Sequence, residues 1–230
     1  MRSILSSIIL LLPALLHAQE ARPVSCRFLS FGGTDDATSV IAVSEKGNEI
    51  ICPLSSTRLS ERIVCPAKQN TIAFISPADR KPLANATIPP RTHAALLVFV
   101  RVPGGTASTS SPWRVLVIDD SPANFPDGGA FIANFHTSDI RFVIGEHKGM
   151  LHSAGSHGYK MPAERDSFNM APVVFEFLKG EKWHIANESS LRFLPGMRYL
   201  IFAFVDPASG RPRINTYQDL APADQAAAKP

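Results

Sequence analysis

Three histidines recur at five-residue intervals, His147, His152 and His157, with Glu146 beside the first. Neutral imidazoles are common zinc and copper ligands, so a metal-binding enzyme could be centred on the His147–His157 loop. In a strand, however, a spacing of five puts successive residues on opposite faces, and Ser153-Ala154-Gly155 reads as a turn between them. Solvated loop histidines are the better reading, and no metal or cofactor is assigned. Asp119, Asp120 and Asp127 surround a Pro/Gly-rich loop and Asp206 follows an apolar run, so clustered oxygens could hold calcium. Their spacing is not that of an EF-hand, and acidic residues routinely end strands and start turns. Serine, histidine and aspartate are all present, yet Gly155-Ser156-His157-Gly158 fails the G-x-S-x-G pattern of a nucleophile elbow. Gly32-Gly33 and Gly128-Gly129 lack the following helix and lysine that a phosphate cradle needs. No catalytic residue is assigned, and the chain is not read as an enzyme.

Trp113, Trp183, Tyr159 and Phe125 could form an aromatic platform for a sugar or peptide. Core packing competes for both tryptophans, which leaves Tyr159 as the ring expected at the surface. Asn85-Ala86-Thr87 and Asn187-Glu188-Ser189 fit the N-glycosylation pattern; in a bacterial host they are polar loop residues at equivalent positions. The three cysteines all fall early, at Cys26, Cys52 and Cys65. Cys52 and Cys65 each precede a proline at the end of a strand-like segment. If those strands are neighbours, a Cys52–Cys65 disulfide is possible, with Cys26 left as a buried thiol. Three reduced core cysteines are the alternative.

These groups must be carried by a globular body. The chain has 230 residues, 45% hydrophobic and only 19% charged, which argues against disorder. Arg2, the apolar stretch from Ile4 to Leu16, and Ala18 before Gln19 match a secretory signal over residues 1–18. Without it, 22 basic residues face 20 acidic ones. No Lys/Arg run exceeds a dipeptide, so nucleic acid is a poor partner. The apolar stretch falls short of the roughly 20 residues needed to span a bilayer, and no membrane insertion is expected after cleavage.

Internal repetition organises the remainder. Ile88 to Val100 aligns without gaps to Phe193 to Val205 at an offset of 105. Cys26 to Phe31 precedes Ala130 to Phe135 by 104, and a turn around Gly47 precedes one around Gly149 by 102. Thr71 to Ser76 has a counterpart near Val173 to Phe177. Short β-branched and aromatic segments between turn signals give about seven strands per copy, which fits two tandem immunoglobulin-like β-sandwiches in an all-β chain. Leu96 to Val100 and Leu200 to Val205 are continuous apolar runs, expected to be strands buried on both faces. Phe204 is expected to be fully buried, so that Phe204→Ala would cost about 3 to 5 kcal/mol. The expected boundaries are a first unit at 24–102, a linker at 103–112, a second unit at 113–218 and a disordered tail at 219–230.

The stretch Trp113 to Phe135, WRVLVIDDSPANFPDGGAFIANF, followed by a Gly-punctuated hairpin and the closing PGMRYLIFAFVDPASGRPR, resembles uncharacterised exported proteins of environmental Gram-negative bacteria. Those carry an aromatic-R-V-L-V-x-D-D-S segment, then F-P-x-G and an Asn strand, and a terminal R-x-L-x-F strand. The resemblance spans roughly residues 96 to 219. It implies an extracytoplasmic β-sandwich without an assigned activity and supplies no catalytic residues. The function expected is that of a non-catalytic exported interaction or structural protein, periplasmic or extracellular, with a protein or envelope polysaccharide as partner. A carbohydrate-binding module is a further alternative.

Overall fold

The computed structural model describes residues 21–32, 39–44, 47–101 and 113–220. The expected signal, the linker at 103–112 and all but two residues of the expected tail lie outside the described residues. Among the described residues there are sixteen β-strands and no helix. The first eight are β1 (Arg22–Phe31), β2 (Ser39–Val43), β3 (Glu49–Pro53), β4 (Ile63–Ala67), β5 (Thr71–Ile75), β6 (Pro82–Thr87), β7 (Ala94–Arg101) and β8 (Trp113–Asp119). They form two four-stranded sheets, β4-β1-β7-β8 and β3-β2-β5-β6. The second eight are β9 (Ala130–Asn134), β10 (Ile140–Ile144), β11 (His147–Leu151), β12 (Ser156–Tyr159), β13 (Met170–Lys179), β14 (Lys182–Arg192), β15 (Met197–Val205) and β16 (Pro212–Leu220). Their sheets are β12-β9-β15-β16 and β11-β10-β13-β14, the same orders with every strand advanced by eight. Even the parallel pair repeats, β1 with β7 and β9 with β15. The chain is therefore a tandem of two like sandwiches.

Alternation along the strands shows where each face goes. On β13, Val173, Phe175 and Phe177 are buried while Glu176 faces outward, as a half-buried strand requires. The inner strands differ. Val24, Cys26 and Phe28 of β1 and Leu97 and Phe99 of β7 fill the first sandwich, whereas Leu29, Phe31, Leu96 and Val98 turn the other way into a second apolar cluster. Ile132 and Ile201 fill the second sandwich, while Phe131, Leu200 and Phe202 join that same second cluster. The sheets β4-β1-β7-β8 and β12-β9-β15-β16 thus pack face to face and make a third core between the units. Strands buried on both faces read as continuous apolar runs, which explains Leu96 to Val100 and Leu200 to Val205.

Several expected details change. Each unit has eight strands rather than about seven. β8 pairs with β7 along its whole length, so Trp113–Asp119 belongs to the first unit's sheet and not to the second unit. The segment at 103–112 therefore joins neighbouring strands of one sheet, and the connection between units is Asp120 to Gly129. A Pro/Gly/Ser-rich composition does not say whether the strands on either side of it share a sheet. β16 runs to Leu220, so Asp219 and Leu220 are part of the sheet and not of a tail. Gly149 lies within β11 opposite Phe142; the turn before it is at Gly145-Glu146. Asn85 and Asn187 stand on β6 and β14 instead of in loops.

The offset of 105 between the two apolar runs also needs correction. In the parallel pairs, Cys26 faces Ala95 and Ala130 faces Tyr199, so the equivalent positions are 104 apart. A one-residue slip moves every side chain to the opposite face, and the ungapped match had aligned core-facing residues with junction-facing ones. For the same reason Phe204, at the end of β15, is only half-buried, packing edge-on to Phe31 at 5.1 Å. Phe202, two residues earlier on the same face, is the fully buried ring, 5.1 Å from Phe31 and 5.6 Å from Tyr217. Phe202→Ala is expected to cost about 3 to 5 kcal/mol in denaturant melts and Phe204→Ala clearly less. Equal losses would mean that the third core is not centred on Phe202.

Candidate functional site

The histidines do not converge. His147 opens β11, half-buried, with Nε2 3.0 Å from the Lys160 carbonyl and its ring 5.6 Å from Tyr159. His157, on β12, lies edge-on to the same Tyr159 at 4.8 Å. His152 is exposed and bonds Asp139 through Nδ1 at 2.9 Å. Glu146 accepts the backbone N–H groups of Ala163 and Glu164 at 2.7 and 3.1 Å, and these bonds outweigh partial burial and hold its carboxyl below the usual range. Among the described residues no group of three His, Cys, Asp or Glu side chains is placed to hold a metal ion.

The four aspartates are likewise dispersed. Asp119 caps the loop after β8, accepting from Ser121 N–H and Asn124 Nδ2 at 3.0 and 3.1 Å. Asp127 accepts from Gly196 N–H at 2.7 Å, and Asp206 from Ala208 N–H at 3.1 Å. Gly129 and Gly158 serve close approach: a Cβ at Gly129 would collide with the Tyr159 carbonyl, and one at Gly158 with the Asn124 carbonyl. The connection between units is thereby pressed against β12. Trp113 is buried against Phe99 in the first core, and Phe125 is fully buried at the junction. Trp183 is half-exposed on the open face of the second unit, but the Arg141 guanidinium covers its ring at 4.2 Å. Tyr159 is half-buried against Phe142, and desolvation pushes its phenol above the ordinary value. The four rings do not assemble into one platform.

Asp120 belongs to a different arrangement, which the residue spacing did not reveal. It follows β8 and its N–H bonds the Ala94 carbonyl, which puts it opposite Ala94 in the first unit; Asp219 stands opposite Arg198 in the second. Because Ala94 and Arg198 are 104 apart, the two aspartates are equivalent positions of the repeat. Both converge on one side chain: Arg198 Nη2 lies 2.8 Å from Asp120 Oδ1 and 2.6 Å from Asp219 Oδ2, with all three side chains buried. Arg198 Nη1 donates to the Phe125 carbonyl at 3.0 Å, and the guanidinium stacks 3.9 Å from the Phe125 ring. From the first unit, Arg27 reaches Asp219 at 2.7 Å and Arg62 reaches Asp120 at 3.2 Å. The one signal in the sequence was an arginine inside an otherwise apolar strand, since a buried charge must be paired.

Beside the junction lies an open cleft of about 370 Å³. Its apolar lining is Val100 and Leu116 from the first unit and Phe135 from the second, all packed on the junction core; Arg114, His136 and Ser153 also line it, and Arg101 borders it from the face of β7 that carries Leu97 and Phe99. Arg114 is exposed, on the face of β8 where Leu116 and Ile118 turn toward the second unit. Clefts between domains with an apolar floor and a few polar groups are the common form of a binding site. This one sets the exposed Arg114 beside apolar surface, suited to a partner carrying carboxylates on an apolar or sugar frame. No protein-family model matches the chain, and no curated protein matches it.

Removing Arg198 would leave two buried aspartates without their shared counter-charge. Arg198→Ala is expected to destabilise the protein by about 3 to 5 kcal/mol in equilibrium denaturation, and Arg198→Lys should recover only part, because an ammonium cannot span both carboxylates while stacking on Phe125. A loss below about 1 kcal/mol for Arg198→Ala would contradict the geometry.

Proposed function

We propose that the protein is a non-catalytic exported interaction or structural protein of the bacterial cell envelope or periplasm. Its inter-unit cleft takes a carboxylate-bearing partner, either an acidic envelope polysaccharide or an acidic protein segment. The observation that carries this reading is the cleft itself. Its two walls come from different units held by a buried junction, so Arg114, Val100 and Leu116 of the first unit are set beside Phe135 and His136 of the second. A preorganised site spends little of its interaction energy on ordering side chains and loops.

Export rests on the signal-like residues 1–18, and the family reading on the resemblance of residues 96 to 219 to uncharacterised exported bacterial proteins. We keep the immunoglobulin-like description for the layer arrangement alone, since eight strands with a parallel inner pair depart from the seven-stranded pattern. Two alternatives are less well supported. A metal-binding enzyme centred on His147, His152 and His157 would have to draw His152 from Asp139 to the other two, which flank Tyr159. A carbohydrate-binding module using Trp183 would have to displace Arg141 from the ring.

Binding of the mature protein to a soluble polyuronate, to a neutral glucan and to an acidic peptide tests the cleft. Binding to one acidic probe but not the glucan is expected, weakening with salt. Arg114→Glu should lower that affinity roughly ten- to a hundredfold, the value of one or two charge-assisted hydrogen bonds, without changing the melting temperature. Unchanged affinity in Arg114→Glu, or glucan binding equal to polyuronate binding, would refute the cleft as the site.

A further inference from the structure

The first unit holds a cysteine cluster that the junction and the cleft do not use. Cys26 on β1, Cys52 on β3 and Cys65 on β4 are all fully buried in its core and present as free thiols. β3 and β4 are not hydrogen-bonded neighbours. β3 is the edge of the outer sheet and β4 the edge of the inner one, so Cys52 and Cys65 meet across the sandwich at its open side. Their Sγ atoms are 3.9 Å apart.

We propose that Cys52 and Cys65 are an oxidation site, forming a disulfide that ties the two sheets of the first unit together at their open edge, while Cys26 stays reduced. The choice of partners follows from register. On the antiparallel pair β1–β4, Val24 faces Cys65 and Cys26 faces Ile63, so Cys26 and Cys65 are diagonal neighbours. Diagonal positions are roughly 7–8 Å apart, beyond the usual 4.4–6.8 Å Cα separation of a disulfide. The Cys52 and Cys65 Sγ atoms lie 3.9 Å apart and each strand has one unpaired edge, so closing to the roughly 2.05 Å of an S–S bond breaks no ladder hydrogen bond on that side.

The reaction needs a disulfide oxidant of the glutathione-disulfide class. One cysteine thiolate attacks the oxidant's sulfur, releasing one thiol and leaving a mixed disulfide. The second thiolate then displaces the remaining oxidant thiol, so two electrons and two protons leave the protein and two small thiols form. In the closed unit the thiols are poor nucleophiles. The contact with Cys26 and burial push Cys65 up to about 12, and the contact with Cys65 and burial raise Cys52 as well. Both thiols are fully buried in the closed unit, out of reach of the oxidant, so the bond forms during folding, before β3 and β4 close over it. This inference concerns the fold of the first unit and stands whether or not the cleft binds an acidic partner.

The test is refolding of the mature protein in a glutathione redox buffer, then alkylation, intact mass and non-reducing peptide mapping. The expected result is a loss of two hydrogens, a Cys52–Cys65 linked peptide and one alkylated residue, Cys26. Cys26→Ser should give the same linked peptide. The oxidised protein should have an unfolding equilibrium constant roughly a hundredfold below that of the reduced one, as expected for a loop of this length. Three alkylatable thiols after oxidative refolding, or a bridge containing Cys26, would overturn the proposal.

Discussion

At the centre of the molecule a single guanidinium lies between two carboxylates that the repeat places at equivalent positions. Asp120 closes the last strand of the first unit and Asp219 the last strand of the second, and Arg198 is within 2.8 Å of both. Its counterpart in the first unit is Ala94, so the duplication has diverged to leave one cation serving both copies. Two flanking arginines, Arg27 and Arg62, retain partial access to solvent and bring the cluster to three guanidiniums against two carboxylates. Desolvating such a group is expensive, and its attraction to its partners offsets that cost only when the geometry is good. What the arrangement supplies is specificity. Apolar surfaces such as Leu29, Val98, Leu200 and Phe202 could slide or rotate against each other, whereas a buried arginine with two carboxylates and a stacked ring has one satisfactory position.

Everything proposed for function depends on that fixed position. The cleft floor is assembled from β7 and β8 on one side and the end of β9 on the other, and neither unit encloses it alone. The connection from Asp120 to Gly129 is short, threads past Arg198 through Phe125, and is pressed onto β12 at Gly129 and Gly158. Relative motion of the units would break the ion pairs and expose the third core together, so the cleft should not open and close as a hinge.

The strands were readable in the sequence because period-two alternation and short β-branched runs follow directly from burial on one face. Val173, Phe175 and Phe177 are an example. The duplication was readable too, and the doubly buried runs at Leu96 and Leu200 already implied a layer on each side. What escaped was register and partnership. An ungapped match at 105 scores well on residue type but is one residue out, and apolar composition does not reveal a one-residue slip when both faces of a strand are buried. Trp113–Asp119 read as the start of the second unit because its pairing with β7 crosses a loop whose composition resembles a linker. Asp219 read as tail because it is followed by Ala/Pro-rich sequence. The Arg198 centre joins residues about 80, 20 and 190 positions apart, and nothing local marks Asp120 as different from Asp119 beside it. The cysteines show the opposite case: their place at strand ends singled out two residues whose Sγ atoms lie 3.9 Å apart, although the two strands lie across the sandwich and not side by side.

The central claim is that two homologous sandwiches form one cooperative body through the junction. Differential scanning calorimetry of the protein, under conditions where unfolding is reversible, tests it most directly. A single transition whose calorimetric and van't Hoff enthalpies agree is expected. Two resolved transitions, or a calorimetric enthalpy about twice the van't Hoff value, would show that the units melt independently and that the junction does not hold them together.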